Sequence, residues 1–120
     1  MGQTPPAAQL SAGQPSAELL EELSQFFRLL SEPARLQLLC QLEHQGPMDG
    51  AALIAATGFS QSHISRQLGQ LQRAGLVRCQ REGVRLTYAI ADPLVPQLCQ
   101  LVQASLRQRL EQQLQHLQTT

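Results

Sequence analysis

The sequence predicts a mainly α fold closed by a small β-hairpin, and three observations carry that prediction. Most segments repeat their apolar residues at helical spacing, two consecutive segments in the second half alternate with a period of two, and glycine, proline or a short polar residue stands at the junctions. The 120 residues suit a single domain, large enough for a modest core yet close to the size at which self-association adds useful stability.

Residues 1–15, rich in Pro, Gly, Gln, Ala and Ser, are expected to be a disordered leader, with residues 16–118 forming the domain. In the first helix Leu19, Leu20, Leu23, Phe26, Phe27 and Leu30 form a broad apolar stripe, and Glu18, Glu21 and Glu22 suit the positive end of its dipole. Ser31-Glu32-Pro33 reads as a stop and restart, with Ser31 capping a second helix and Pro33 in its first turn. That helix carries Leu36, Leu38, Leu39, Cys40 and Leu42 and ends before Gln45-Gly46-Pro47. Asp49 is expected to cap a short third helix containing Ala52, Leu53 and Ala56, which ends where Gly58 supplies a left-handed turn. Ser60 caps a fourth helix running to about Ala74 and stopped by Gly75.

The third and fourth helices, joined by Thr57-Gly58-Phe59-Ser60, make a helix-turn-helix pattern whose second member is the candidate recognition helix. After Gly75 the segments LVRCQ and VRLTYAI alternate, placing Val84, Leu86, Tyr88 and Ile90 on one face and Arg85, Thr87 and Ala89 on the other. Arg81-Glu82-Gly83 is the expected turn of this two-stranded hairpin. Asp92-Pro93 opens a last helix bearing Leu94, Leu98, Leu101, Leu106, Leu110, Leu114 and Leu117. Its stripe outruns one domain core, so it is expected to be half core and half subunit interface, paired with the first helix. The order is that of a winged helix-turn-helix, a homodimer through its terminal helices.

The formal net charge is zero, but it is unevenly spread. Residues 1–59 hold Arg28 and Arg35 against six acids, whereas residues 60–90 hold Arg66, Arg73, Arg78, Arg81 and Arg85 against Glu82 alone. A basic block inside a neutral chain is an electrostatic footprint for an anionic partner. All basic residues are arginine, the better fork for phosphate and guanine. No apolar run approaches the ~18 residues of a membrane span and no signal peptide opens the chain, so a cytoplasmic protein without a membrane partner is expected. Cys40, Cys79 and Cys99 are odd in number and widely spaced, unlike a secreted disulfide framework.

On the fourth helix Ile64, Leu68 and Leu71 face the core, which leaves Ser60, Gln61, Ser62, His63, Ser65, Arg66, Gln67 and Arg73 as candidate DNA contacts. Gln suits adenine, Arg suits guanine, and Ser takes base or phosphate. His63 occupies the first turn, where a capping box would carry Glu or Gln, and a turn-packing role competes with a DNA contact there. The hairpin adds Arg78, Arg81 and Arg85, with Arg81 next to the tip. A solvated polar face or a protein-interaction module is the competing reading, although the exposed aromatic or methionine anchors such a module favours are lacking. No nucleophile–base arrangement or phosphate loop points to an enzyme, and no cofactor is required.

The stretches LLSEPARLQLLCQL and LIAATGFSQSHISRQLGQLQRAGLVRCQREGVRLTYAI resemble the ArsR/SmtB family of winged-helix repressors, over roughly residues 18–110. The resemblance implies a homodimeric repressor on an inverted repeat in a double-stranded operator, released by a metal ion or a reactive small molecule. Its known metal sites are not matched: Asp49 and Ala51 stand where one site has Cys-x-Cys, and Leu94, Ser105 and Gln108 replace ligands of another near Asp92. Zinc-like ions need several N or S ligands in one tight shell, and His44, His63 and His116 are scattered, so no metal site is expected; a metal-responsive repressor with an unusual site is the alternative. Cys40 and Cys99 resemble a branch of the family that senses sulfane sulfur or oxidants by linking a cysteine on each of these helices. The second cysteine of that branch would fall two turns beyond Cys99, near Arg107. Buried cysteines acting as small hydrophobes compete with the sensing role.

Overall fold

A computed structural model describes residues 13–119, so residues 1–12 of the expected leader lie outside the described range. The chain divides at Pro33 into two compact units. The first contains helix α1 (Ala17–Leu30), started by Ser16, whose Oγ accepts the Leu19 N–H at 3.1 Å. Leu20, Leu23 and Phe27 on this helix are exposed, and the Phe26 and Phe27 rings meet edge to face at 5.4 Å.

Ser31 corrects an expectation. It closes α1 rather than capping the next helix: its N–H and Oγ both donate to the Arg28 carbonyl, at 3.2 and 2.7 Å. Its backbone is helical (φ −76°, ψ −8°), whereas an N-cap must be extended for its oxygen to turn back onto the first turn.

The second unit contains α2 (Pro33–Gln45), β1 (Met48–Asp49), α3 (Gly50–Thr57), α4 (Gln61–Arg73), β2 (Val77–Glu82), β3 (Arg85–Ile90) and α5 (Leu94–Thr119). Leu38, Leu42, Leu53, Leu68, Leu71, Val77 and Val95 are its fully buried large side chains, so α2, α3, α4, β2 and the start of α5 share one core. Local signals set the boundaries as expected. Asp49 Oδ1 accepts the Ala52 N–H at 2.8 Å and starts α3, and Gly58, at φ +75°, ends it with its N–H on the Ile54 carbonyl at 2.8 Å.

The sheet departs from the expected two-stranded hairpin. A third strand, β1, pairs antiparallel with β3 in the order β1-β3-β2, through Met48 opposite Tyr88 and Asp49 opposite Thr87. The turn is also tighter, because Arg81 and Glu82 lie in the ladder opposite Leu86 and Arg85. Only Gly83 and Val84 remain as the loop, with Gly83 at φ +67° in the first position, where two-residue hairpins tolerate positive φ. Val84 is 99% exposed and shares no buried face with Tyr88.

The last helix contributes less to the core than expected. Val95 is buried, Leu98 and Cys99 are half-buried, and Leu101 through Gln118 are exposed. At ~1.5 Å per residue its 26 residues span about 39 Å. Among the described residues no helix is long and apolar enough to cross a membrane.

Candidate nucleic-acid interface

Helix α4 divides cleanly into an inner and an outer side. Ile64, Leu68 and Leu71 are buried, and Gln61, Ser62, Ser65 and Arg66 are exposed at its leading end. Ser60 Oγ accepts the His63 N–H at 3.2 Å and lies 3.3 Å from Ser62 Oγ, so this hydroxyl is already committed to capping. The N-terminal dipole and the free donors of the first turn favour an anion at this end.

His63 is half-buried and joins the turn to the polar face. Its ring meets Phe59 edge to face at 4.9 Å, and its Nδ1 lies 3.3 Å from Arg66 Nη2. A guanidinium only donates, so in this contact Nδ1 is the acceptor. Phe59, which the sequence pattern left unassigned, is therefore part of the scaffold beneath Arg66.

Gln67 is the candidate the structure removes from the outer face. It is 7% exposed, and its Oε1 accepts from Arg35 Nε of α2 at 2.8 Å. Arg35 Nη2 also donates to Gln70 Oε1. A buried amide must find a partner inside the protein, and Gln67 finds one in Arg35 rather than in a ligand. Polarity alone had grouped it with its exposed neighbours; the pair Gln67 and Gln70, three residues apart on one face, was the available signal. Arg73 is exposed at the far end of α4, about 18 Å along the axis from Gln61. Its guanidinium lies back over Gly69, where an added Cβ would stand 3.4 Å from Nη1.

The three wing arginines differ in commitment. Arg78 Nη1 donates to the Ile90 carbonyl at 3.0 Å, across the ladder. Arg85 Nε lies 3.3 Å from Asp49 Oδ2, an ion pair whose arginine is 68% exposed. Exposed pairs of this kind are worth about 0–1 kcal/mol, so Arg85 is easily released to a stronger anion. The Arg81 guanidinium makes no hydrogen bond or ion pair among the described residues. Between α4 and the hairpin lies an open cleft of about 390 Å³, lined by Gln61 and Ser65 on one side and by Arg85, Leu86 and Tyr88 on the other. Burial, then the neighbouring Cys79 across the ladder, pushes the Tyr88 phenol up from its ordinary value.

Away from this face, Cys40 and Cys99 line one cavity of about 80 Å³ between α2 and the start of α5, with Leu39, Val95 and Pro96 as apolar walls. Both thiols are free and half-buried. Burial first, and the charge of Cys40 second, push the Cys99 thiol up from its usual value. His44 lies at the same cavity, its Nδ1 2.8 Å from the Cys40 carbonyl one turn back. Cys79 sits elsewhere, opposite Tyr88 in the sheet. Among the described residues no three His, Cys, Asp or Glu side chains converge in a way that could hold a metal ion.

Comparison with known proteins agrees with this geometry. Residues 32–78 match the model of the bacterial regulatory protein arsR family. The chain is 36% identical over 83 residues to the uncharacterized HTH-type transcriptional regulator Rv0081 of Mycobacterium tuberculosis, covering 69% of this chain and 73% of that one. The crystal structure of Rv0081 superposes with a TM-score of 0.75 at 31% identity, over 82% of this chain and 99% of that chain. The homodimeric winged helix-turn-helix DNA-binding domain of Mb0332 from Mycobacterium bovis superposes with a TM-score of 0.68 at 37% identity, over 80% and 90% of the two chains. The AntR antimony-specific transcriptional repressor gives 0.75 at 25% identity, over 92% and 99%. The polar leading end of α4, the arginine-bearing hairpin beside it and these relatives identify one kind of molecule: the chain belongs to the arsR family of DNA-binding winged helix-turn-helix transcriptional repressors, which are not enzymes.

Proposed function

We propose that the protein is a cytoplasmic homodimeric repressor that reads an inverted repeat through Gln61, Ser62, Ser65 and Arg66 and is released by thiol modification. The observation that carries the DNA reading is the exposure of these four side chains at the leading end of α4, beside a hairpin whose Arg81 is uncommitted. In helix-turn-helix proteins this end enters the major groove, and dimers place two such ends about 34–36 Å apart. Two surfaces supply the second copy's seat: Leu20, Leu23 and Phe27 on α1, and Leu101, Leu106, Leu110, Leu114 and Leu117 on α5. Each leucine that became fully buried would contribute about 1.5–3 kcal/mol. Selection of bound duplexes from a random pool tests this reading. An enriched inverted repeat is the expected result, and a pool without enrichment would refute it.

Release is assigned to the Cys40–Cys99 cavity, because both thiols line it and Cys99 is held toward its protonated form. That state leaves the first attack to Cys40, and Cys99 closes the second step of a two-step oxidation as it gives up its proton. The Cys40 thiol loses its proton and attacks a peroxide oxygen; the O–O bond breaks, and that proton leaves with the departing hydroxide as one water, giving a sulfenic acid. Cys99 then attacks the sulfenic sulfur, its own proton leaving with the hydroxyl as a second water, and the disulfide forms. With a low-molecular-weight persulfide as donor, Cys40 takes its outer sulfur and releases the donor's thiol; Cys99 then attacks the Cys40 sulfur and expels the outer one as hydrogen sulfide. Intact-mass analysis should find a loss of two hydrogens after peroxide, absent from Cys40→Ser and Cys99→Ser, together with loss of operator binding.

A further inference from the structure

We propose that Arg35 is a positioning residue that fixes the pose of the recognition helix and ties it to α2. Its second half, transmission from the thiol cavity, rests on the release mechanism proposed above. Arg35 lies in the first turn of α2, and its planar fork spans one turn of α4 by donating to Gln67 and Gln70. Arg35 is half-buried, and the buried residues of α2 are Ala34, Leu38, Leu39 and Leu42, whose contacts are apolar and non-directional. Apolar packing holds two helices together but leaves their relative roll soft, whereas two hydrogen bonds from one rigid guanidinium fix it. Gln67 is the one buried polar side chain of the described residues, set between the exposed Arg66 and the buried Leu68. Orienting Gln67 therefore orients Arg66. Cys40 lies on the same helix as Arg35, about 7.5 Å along its axis. A covalent strap from Cys40 to α5 that shifts α2 moves the fork, and the fork carries α4 with it.

The test uses the reduced full-length protein, the selected operator and a scrambled duplex of equal length. In Arg35→Gln and Gln67→Leu, operator affinity should fall about tenfold, within the range for residues along a coupled network. Affinity for the scrambled duplex, carried by phosphates, should hold within about twofold. Gln67→Glu keeps an acceptor for the fork and should retain operator binding. A merely structural role would lower the melting temperature without changing the operator-to-scrambled ratio; an unchanged ratio in both folded variants overturns the proposal. Hydrogen exchange gives an arm that needs no DNA: α4 amides should exchange faster in Arg35→Gln and Gln70→Ala while those of α3 do not, and unchanged α4 rates overturn it equally. Peroxide then separates the two claims. A parent protein indifferent to peroxide defeats the thiol reading while the clasp is still judged on the reduced ratio; a parent that responds beside a Gln67→Leu that responds equally defeats the transmission.

Discussion

Helix α4 buries its apolar face, whereas the outer part of α5 leaves its leucines in solvent. On α4 the apolar face is consumed by the core, and Gln61, Ser62, Ser65 and Arg66 remain. On α5 residues 100–118 are all exposed, and Leu101, Leu106, Leu110, Leu114 and Leu117 are between 49% and 71% exposed. A polar face left over beside a finished core is an offer of hydrogen bonds. An apolar face left over beside the same core is an unfinished fold, and exposed patches of this size mark interaction surfaces. The pair teaches that one core can leave a polar face on one helix and an apolar face on another, which the proposed reading assigns to DNA and to a second copy of the chain.

The hardest test of that division is a charge in the α5 stripe. Leu110→Glu should convert a dimer to a monomer by sedimentation and lower operator affinity more than 100-fold, because a bivalent reader becomes monovalent; a dimer of normal affinity would show that this face is not the seat. Next comes Arg66→Ala, which should cost about 1–3 kcal/mol per recognition helix in operator binding while leaving the dimer intact. The parent protein should show a slope of log K against log salt of roughly −5 to −7, from about six to eight phosphate contacts per dimer at −0.9 each. Arg81→Ala should flatten that slope by about 2, one per wing, with little change in sequence preference. A slope near −1 in the parent would remove the arginines as the source of affinity. The smallest effect concerns Cys99. Because burial holds it protonated, its alkylation by iodoacetamide should begin at higher pH in the folded protein than in the urea-unfolded chain, and equal pH profiles would contradict that placement.

Much of this division was legible because its signals are local. Asp49, Gly58 and Ser60 set the helix-turn-helix junction through bonds within three or four residues, and the spacing of Ile64, Leu68 and Leu71 sorted the two sides of α4. What escaped depended on distant partners or on fine backbone choice. Gln67 was misplaced because its partner, Arg35, lies 32 residues earlier. Strand β1 has two residues, too few to alternate. Ser31 fits either helix by chemistry, and only its helical φ and ψ decide between them. That Cys40 and Cys99 line one cavity was suggested by the family resemblance and not by their spacing, because it is a product of tertiary packing.

The arginine-only make-up of the basic face has a regulatory consequence. Transfer of an acyl group to lysine is a common way to erase charge from a nucleic-acid-binding surface, and this sequence offers no lysine side chain to receive one. Arginine also keeps its proton throughout the accessible pH range. The arginines of this face thus offer lysine acylation no target and keep their charge through shifts in acidity, so a signal that works through them must act on the geometry of the helix and the hairpin that carry them.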